Sequence, residues 1–364
     1  MKKEDKYIIA INNIEDRIKS TQHDTLSEVV DKLGSDIAME IINDSKTENT
    51  WRTYKNGILD YMRWSDKEQP FPITPVQVIS YLKDRSKTSA PSTLSNRLSA
   101  ISTFSALLGY EDPSVDKLVK MTISGIRRKK IKGDAEKGVL PWSPKRASAL
   151  SFEDYLKLLS VIEKDTKAGA RDCALIEMGM WGSFRDREIA TLQKGRLIIQ
   201  PDYIIIPMGQ TKADQENTIK KPKVIPRLNK EIGIEPYSSI MNWVETNNFK
   251  DTDYLFQRIS KTGKFYKDGK ALSSRAVNDI IIKYAKKAKI SYADKISFHS
   301  LRATFVTVGR MLDMSDAKIM QQTHHTNSRT LDIYDRPEDN PDKHPINELI
   351  EKIANKYLEA NDDK

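Results

Sequence analysis

Residues 196–212 read RLIIQPDYIIIPMGQTK, and this stretch decides the fold class of the chain. Isoleucine, leucine and tyrosine are concentrated here between turn-forming residues, and the same character returns in KKPKVIPR, residues 220–227. Apolar β-branched and aromatic residues bounded by Pro, Gly and Asp are typical of short strands. The two stretches predict a small antiparallel sheet of two or three strands, with QTKADQENTIKKP, residues 210–222, as its hairpin turn.

Helical periodicity surrounds this sheet on both sides. Before the sheet, the pattern predicts four short helices within residues 47–132; Thr47 or Asn49 caps the first, and the third starts at Pro91 and stops at Gly109. The predicted inward face of the second helix consists of Val76, Ile79, Tyr81 and Leu82. Further helices follow the sheet. The chain is therefore expected to be mainly α-helical with a small antiparallel β-sheet.

The length of 364 residues is comfortable for two domains. We expect a helical extension at 1–46, an all-α unit at 47–132, a linker rich in Gly, Pro and Ser at 133–150, an α+β unit at 151–340 and a tethered helix at 341–364. The tethered helix carries one apolar stripe, which is formed by Ile346, Leu349, Ile350, Ile353 and Tyr357. Such a helix either folds back or docks on another subunit, and we favour docking on a neighbouring subunit.

Composition limits the classes of protein that need to be considered. With 38% hydrophobic and 30% charged residues, no apolar run of about eighteen residues and no secretory leader, the chain is expected to be soluble and intracellular. Cys173 is the only cysteine, which excludes an intramolecular disulfide and argues against a thiolate metal site. The formal net charge of +9 and the pI near 9.2 favour a polyanionic partner. A merely lysine-rich protein is the alternative.

Polar residues suited to phosphate chemistry recur in order along the second half of the chain. They are Arg185, Glu188, Lys212, His299, Arg302, His325 and Tyr334. Each has an ordinary structural explanation: an i,i+3 ion pair, a solvent-exposed lysine on a turn, a structural histidine, a helix cap or a half-buried aromatic ring. Those separate explanations do not account for the occurrence of all seven residues in this order along the chain.

The ordered set resembles the signature of the tyrosine recombinases, the phage integrase family. The resemblance runs from about Thr47 to the C-terminus, and TWRTYKNGILDYMRWS (50–65) is similar to the DNA-embracing helical domain of the Cre-like members. It implies an all-α core-binding domain and an α+β catalytic domain that form a C-shaped clamp on DNA. KALSSRAVNDI (270–280) is similar to the helix that enters the major groove. The implied DNA-binding residues are Arg97, Arg127, Arg128, Lys129 and Arg275.

The resemblance implies transfer of a DNA strand to a tyrosine without metal or cofactor. Attack on a phosphodiester builds negative charge, and Arg185 and Arg302 suit it because guanidinium groups are planar and permanently charged. No carboxylate cluster for two metal ions is evident in the sequence, so the charge is expected to be met by protein cations. The family pattern assigns the nucleophile to Tyr334 and the proton for the leaving 5′-oxygen to Lys212.

The remaining positions of the signature support these groups. His299 is implied as a general base or phosphate donor, His325 as a hydrogen-bond donor to the scissile phosphate, and Glu188 as the acid that orients the first arginine. Cre-like relatives carry tryptophan where His325 stands, although histidine is usual elsewhere in the family. His324 occupies a place often held by glycine, and a helix-terminus cap is its default interpretation.

The resemblance thus predicts a site-specific recombinase that acts through a 3′-phosphotyrosyl intermediate and a Holliday junction. Its expected partner is double-stranded DNA with inverted-repeat sites, bound by a homotetramer on two sites whose subunits are monomers in solution. A cytoplasmic, nucleoid-associated location and a prokaryotic, phage or plasmid origin are expected. The alternatives are a type IB topoisomerase-like or telomere-resolving strand transferase, and a DNA-binding protein of the same fold without catalysis.

Overall fold

The computed structural model describes Tyr7, residues 44–137, 148–208, 221–227 and 235–328, and Leu331. Most of the predicted N-terminal extension, the tip of the predicted hairpin and the whole of the predicted C-terminal helix lie outside these residues. The chain divides into two compact units, Met1–Lys145 and Arg146–Lys364. Nowhere in the described ranges does a helix have the length and apolar character needed to cross a membrane.

The first unit is built from four helices in the described part of the chain: α1 (Glu48–Ser65), α2 (Pro75–Arg85), α3 (Pro91–Leu107) and α4 (Lys117–Glu136). The Thr47 hydroxyl accepts the Thr50 N–H and caps α1. Proline occupies the first position of α2 and of α3, where no helical N–H is needed. Gly109 follows α3 at φ 72°, a conformation that glycine adopts without steric cost. These starts and stops agree with the sequence prediction.

The core of the first unit lies between α1 and α3, with α2 packed against α4. Ile58, Leu94 and Phe104 are buried at its centre. The predicted inward face of α2 is wrong at Val76, which is 71% exposed, whereas Val78 is fully buried. Because α2 begins at Pro75, Val78 shares an i,i+3,i+4 stripe with Tyr81 and Leu82, and Val76 lies on the far side of the first turn.

The end of α4 differs from the predicted domain boundary at residue 132. The helix continues to Glu136, four residues into the predicted linker. Ion pairs at i,i+4 spacing, Lys130–Asp134 and Lys132–Glu136, span this last turn. They supply local support for helical conformation in a segment whose composition resembles a linker.

The second unit wraps helices around a buried central helix. In chain order its helices are α5 (Phe152–Ser160), α6 (Lys167–Trp181), α7 (Asp186–Ala190), α8 (Pro236–Glu245), α9 (Ser274–Lys287), α10 (Phe298–Met311) and α11 (Asp316–Thr323). Most of α6 is buried, as its apolar sequence predicts, and α8 and α10 pack on it. The whole arrangement is mainly α-helical, as expected.

The predicted sheet is present with three antiparallel strands: β1 (Ile198–Ile199), β2 (Tyr203–Ile206) and β3 (Lys223–Pro226). Ile204 pairs with Ile225, and both side chains are fully buried. In β3 the inward positions are Lys223 and Ile225. The sheet therefore turns one apolar face to the helices, and a single lysine stands on that face among the described strand residues.

Close approach of α6 and α10 fixes the floor of the candidate site. A Cβ atom on Gly179 would come within 2.6 Å of Leu301 Cδ1 and of Phe298 Cζ, both on α10. Only glycine lets the two helices approach this closely. Since α10 also carries His299 and Arg302, this contact sets their position relative to the end of α6.

Candidate functional site

Arg185 stands just after the end of α6, at the N-cap position of α7. Its Nη1 donates to Glu188 Oε1 at 2.6 Å, and its backbone N–H donates to Glu188 Oε2 at 2.9 Å. Burial alone would raise the pKa of the Glu188 carboxyl, but Arg185 and Lys223 hold that pKa below its ordinary value. Glu188 is therefore an ionised acid that fixes both the backbone and the guanidinium of Arg185.

The turn that precedes Arg185 contains an unusual backbone. Ser183 adopts a positive φ of 49° and is completely buried. Its carbonyl oxygen accepts a hydrogen bond from Arg302 Nη1 at 2.7 Å. Non-glycine residues in the left-handed region are sterically disfavoured, and such strain concentrates at functional sites. The strained turn thus links the first arginine of the motif to the second.

Arg302 and His299 lie on one face of α10, one helical turn apart. The Arg302 residue is fully buried, whereas His299 is exposed. A buried guanidinium cannot lose its charge, because its intrinsic pKa is far above neutrality. The pair therefore places a permanent charge beneath a solvent-accessible imidazole.

The C-terminus of α11 brings His324 and His325 to the same region. His324 is the C-cap residue in the left-handed conformation, at φ 53°, and its N–H donates to Met320 O at 2.8 Å. The helix-cap interpretation is confirmed, and it explains why glycine would suit this place. The ring is nearly buried, its Nε2 has no hydrogen-bond partner within the described part of the chain, and burial lowers the His324 pKa to about 4.

His325 is oriented by Thr323. Its Nδ1 lies 2.9 Å from Thr323 Oγ1, and that hydroxyl donates to Ile319 O, also at 2.9 Å. Since the hydroxyl proton is used, the oxygen accepts from Nδ1–H, which favours the tautomer with a lone pair on Nε2. Burial, together with the charges of Arg302, Arg185, His299 and Lys223, lowers the pKa of His325 to about 3.

The lowered pKa of His325 reflects cations that come from separate elements of the second unit. Arg185, from the turn after α6, and Arg302, from α10, both act on His325 at the end of α11. The arrangement is a ready site for an anion, since guanidinium groups bind two oxygens of one phosphate at a time. Among the described residues, no group of three or more His, Cys, Asp or Glu side chains could hold a metal ion.

Lys223 was not anticipated as part of this region. It lies on β3 with 0% exposure, and its charge acts on Glu188, His324 and His325. The sequence does contain a signal: Lys223 stands two residues before Ile225 in a strand of period two, so it occupies an inward position. A lysine in such a position is almost never fully buried without a specific partner.

Two motif residues lie outside the described residues. These are Lys212, on the predicted hairpin turn, and Tyr334, near the C-terminal end. Their roles stay predictions. The other five motif positions are described and belong to the second unit.

The residues predicted to bind DNA fall into two groups. Arg128, Lys129 and Arg275 are exposed, and the Arg275 side chain is 92% accessible on the first turn of α9. Arg127 is also exposed, although its Nη2 donates to Ser95 Oγ at 2.8 Å. Arg97 differs, because its guanidinium contacts Asp60 at 3.2 Å and Ser89 at 3.0 Å and its side chain is only 19% exposed. In this geometry Arg97 holds α1 and α3 together.

Comparison with known proteins agrees with this geometry. Residues 148–340 match the family model described as the phage integrase family. An "Integrase/recombinase xerD homolog" from Selenomonas ruminantium is 26% identical over 298 residues, covering 80% of this chain and 83% of that protein. The "TnP I resolvase" of Bacillus thuringiensis is 24% identical over 302 residues, covering 81% of this chain and 91% of that protein.

Solved structures show the same fold. The lambda integrase dimer bound to a COC′ core site matches with a TM-score of 0.55 at 14% identity, covering 83% of this chain and 75% of that one. The post-cleavage complex of the XerH site-specific recombinase with palindromic difH substrate matches with a TM-score of 0.53 at 15% identity, covering 95% of both chains. At these identities the likeness concerns the fold.

Proposed function

This chain belongs to the phage integrase family, the tyrosine site-specific recombinases, and we propose that it cuts and rejoins DNA strands through a 3′-phosphotyrosyl intermediate. The observation that carries the proposal is the hydrogen bond at 2.7 Å from Arg302 Nη1 to Ser183 O, which ties Arg302 to the turn before Arg185; both arginines lower the pKa of the half-buried His325. Fixed cations near imidazole groups are what transfer of a phosphodiester requires.

The two arginines would hold the scissile phosphate. The non-bridging oxygens carry more negative charge in the phosphorane-like transition state than in the ground state. Fixed cations therefore stabilise the transition state more than the ground state. Glu188, paired with Arg185 at 2.6 Å, keeps that guanidinium in place before DNA arrives. Preorganisation of this kind avoids the cost of reorienting donors during the reaction.

Tyr334 would be the nucleophile. Its phenolic oxygen attacks the phosphorus, the bond from phosphorus to the 5′-oxygen breaks, the phenolic proton passes to a base and the 5′-oxygen gains a proton. A phenol has an ordinary pKa of about 10, so a cationic pocket favours the ionised form that attacks. The new ester retains the energy of the broken bond, and religation by a 5′-hydroxyl is the reverse reaction, which needs no ATP.

Proton transfers would fall to Lys212 and the two histidines. Lys212, on the predicted hairpin turn, would protonate the leaving 5′-oxygen, and His299 is suited to accept the phenolic proton because its ring is accessible. His325 would be neutral in the DNA-free protein, since its pKa is lowered to about 3. A bound phosphate offsets the neighbouring cations, raises that pKa and allows Nε2 to gain a proton and donate it to a phosphate oxygen.

DNA recognition would use exposed cations of both units. Arg275, on the first turn of α9, is suited to reach base edges, and Arg127, Arg128 and Lys129 on α4 are suited to phosphates. As in the family, we propose four subunits on two inverted-repeat sites that exchange strands in pairs through a Holliday junction. The apolar stripe within residues 341–364 would dock on the neighbouring subunit and close the ring.

Covalent capture from a random DNA pool tests this function and identifies the target site in the same experiment. The full chain is incubated with duplexes that carry one nick and randomised flanks, and strands that stay attached to protein under denaturing conditions are sequenced. We expect recovery of an inverted repeat, no covalent product with Tyr334→Phe, and normal product with Tyr266→Phe, which alters an exposed tyrosine of the same unit. Native binding should be the same for all three proteins.

The possible results separate the alternatives. No covalent product from the unaltered chain would overturn strand cleavage, and product from Tyr334→Phe would overturn the choice of nucleophile. A plasmid with two copies of the recovered site then distinguishes deletion or inversion, which recombination requires, from relaxation alone, which a topoisomerase-like enzyme gives. Product formation should persist in EDTA, and a strict requirement for Mg²⁺ would contradict charge neutralisation by protein cations.

A further inference from the structure

Lys223 is a fully buried lysine that links separate chain segments. Its Nζ donates to the carbonyl of Gln322 at 2.7 Å and to the carbonyl of Ser183 at 3.2 Å, and lies 5.0 Å from the centre of the Phe184 ring. Gln322 belongs to α11, whereas Ser183 and Phe184 form the turn after α6. One ammonium group thus joins β3 to two elements that are distant in sequence.

The side chain of Gln322 makes a second set of links across the same junction. Its Nε2 donates to Trp181 O at 2.7 Å and to Val224 O at 2.8 Å, while its Oε1 accepts the Val224 N–H at 3.3 Å. It therefore holds the end of α6 and the backbone of β3. We call Lys223 and Gln322 together the clamp.

Two of the elements held by the clamp lie beside groups of the candidate site. Ser183 lies two residues before Arg185, and its carbonyl is shared by Lys223 and Arg302 Nη1. Gln322 lies three residues before His325. We propose that the clamp sets the relative positions of Arg185, Arg302 and His325, with Lys223 acting as a positioning residue.

The choice of a cation at this position supports a role beyond filling space. Burial lowers the pKa of the Lys223 ammonium well below its ordinary value; Glu188 opposes that change, and Arg302 and Arg185 add to it. A buried charge near other cations destabilises a fold, and an apolar residue of similar size is often neutral or stabilising instead. The hydrogen bonds that hold three segments together are what an apolar side chain could not supply.

The test measures binding and cleavage separately. It rests on the proposed function and uses the full chain with the nicked duplex recovered by covalent capture. Lys223→Met removes the ammonium at nearly constant length, and Gln322→Leu removes the amide. The matched controls are Lys221→Met and Gln321→Leu, which alter exposed neighbours. For each protein we would measure the dissociation constant, the single-turnover rate of covalent product formation at saturating DNA, and the thermal midpoint.

The expected result is a lower rate of covalent product formation with unchanged DNA affinity. Both clamp variants should bind DNA as the unaltered chain does but form covalent product about 10²-fold more slowly, the scale associated with displacement of a catalytic group by about 1 Å. The double variant should be no slower than the slower single variant, because the two residues act as one unit. The control variants should keep the normal rate.

Other results would overturn the inference. If the clamp variants cleave at the normal rate, the clamp does not position the site residues. If the control variants lose as much rate as the clamp variants, the effect is not specific to the clamp. Unfolding of both variants at the assay temperature would assign the clamp to folding alone. If the unaltered chain forms no covalent product, the proposed function fails first, which is a separate outcome.

Discussion

The side-chain oxygen of Asn278 accepts a hydrogen bond at 2.8 Å from the backbone N–H of Phe298, the first residue of α10. The amide of Asn278 also donates to Ser274 O at 2.7 Å and lies 3.5 Å from Asp186 Oδ2, beside Arg185. Asn278 belongs to α9, whose second residue is the exposed Arg275. The helix that we propose reads DNA is therefore attached to both elements that carry the arginines.

Asn278→Ala should weaken this attachment. It leaves the Phe298 N–H without its acceptor, which is expected to cost about 1 kcal/mol of unfolding free energy. The covalent cleavage rate should fall more than DNA affinity does. Asn242→Ala is the control because it alters an exposed asparagine of the same unit. Urea unfolding and single-turnover cleavage measure the two effects, and equal behaviour of both variants would count against the attachment.

Glu188→Gln should loosen Arg185. The glutamine has one acceptor oxygen in place of two, so it can accept either the Arg185 N–H or the guanidinium but not both, and the ion pair at 2.6 Å is lost. We expect stability to fall on the order of 1–3 kcal/mol, since cations around the site lose their counter-charge. Cleavage should slow while DNA affinity is maintained or increased. Glu153→Gln, at an exposed position on α5, is the control for the lost charge; unchanged cleavage in Glu188→Gln would contradict the orienting role.

Ser183→Gly should stabilise the protein. Ser183 has φ 49°, and its buried hydroxyl has no hydrogen-bond partner in the described part of the chain. Glycine removes both penalties, for an expected gain of about 1 kcal/mol. Ser183→Ala removes only the hydroxyl and so separates the two contributions. Urea unfolding gives the result, and a loss of stability in Ser183→Gly would show that the strain argument is wrong.

Acid should destabilise the second unit through its neutral histidines. The pKa of His324 is lowered from the ordinary 6.5 to about 4, so the folded state binds fewer protons than the unfolded state between those values. The contribution of neutral His324 to the unfolding free energy is then fully present above about pH 6.5 and is lost as the pH falls towards 4. At about pH 5 the loss from this one group is about 1–2 kcal/mol. His325, with its pKa lowered to about 3, acts in the same direction.

His324→Gly isolates this share of the pH dependence. It removes the titrating ring and puts glycine at the left-handed C-cap position. The difference in unfolding free energy between about pH 7.5 and about pH 5 should shrink by the same 1–2 kcal/mol or so. Full retention of the original difference would mean that His324 does not titrate as proposed.

Arg275→Ala should weaken specific binding without affecting the fold. The side chain is 92% exposed, and its ion-pair contact with Asp279 is long, at 3.9 Å. Loss of a base contact is expected to cost about 1–3 kcal/mol and to relax sequence preference at one position. Loss of a phosphate contact would instead weaken binding to all DNA sequences equally. It would also reduce the slope of the logarithm of the binding constant against the logarithm of the salt concentration by about one. Binding titrations over a range of salt decide between these outcomes.

Local features of the fold were predictable because their causes are local. Thr47, Pro91 and Gly109 mark helix starts and a helix stop through backbone geometry that depends on the residue itself and its neighbours. The sheet followed from apolar β-branched and aromatic residues bounded by turn-forming residues, and the order of the seven motif residues predicted the side chains of the site, five of which the structure describes. Local periodicity did not place Val76 on the correct face of α2, since that required the register of α2 against its neighbours.

The amino-acid sequence determined the elements, the family and the residue types available for phosphate chemistry. Only the tertiary structure decided that Lys223 is buried, that Ser183 O serves both Lys223 and Arg302, and that Arg97 is engaged by Asp60. Helix caps and strand periodicity act over a few residues, so a linear pattern reveals them. The Lys223 contacts join residues about 40 and about 100 positions apart, and such contacts exist only once packing brings the segments together.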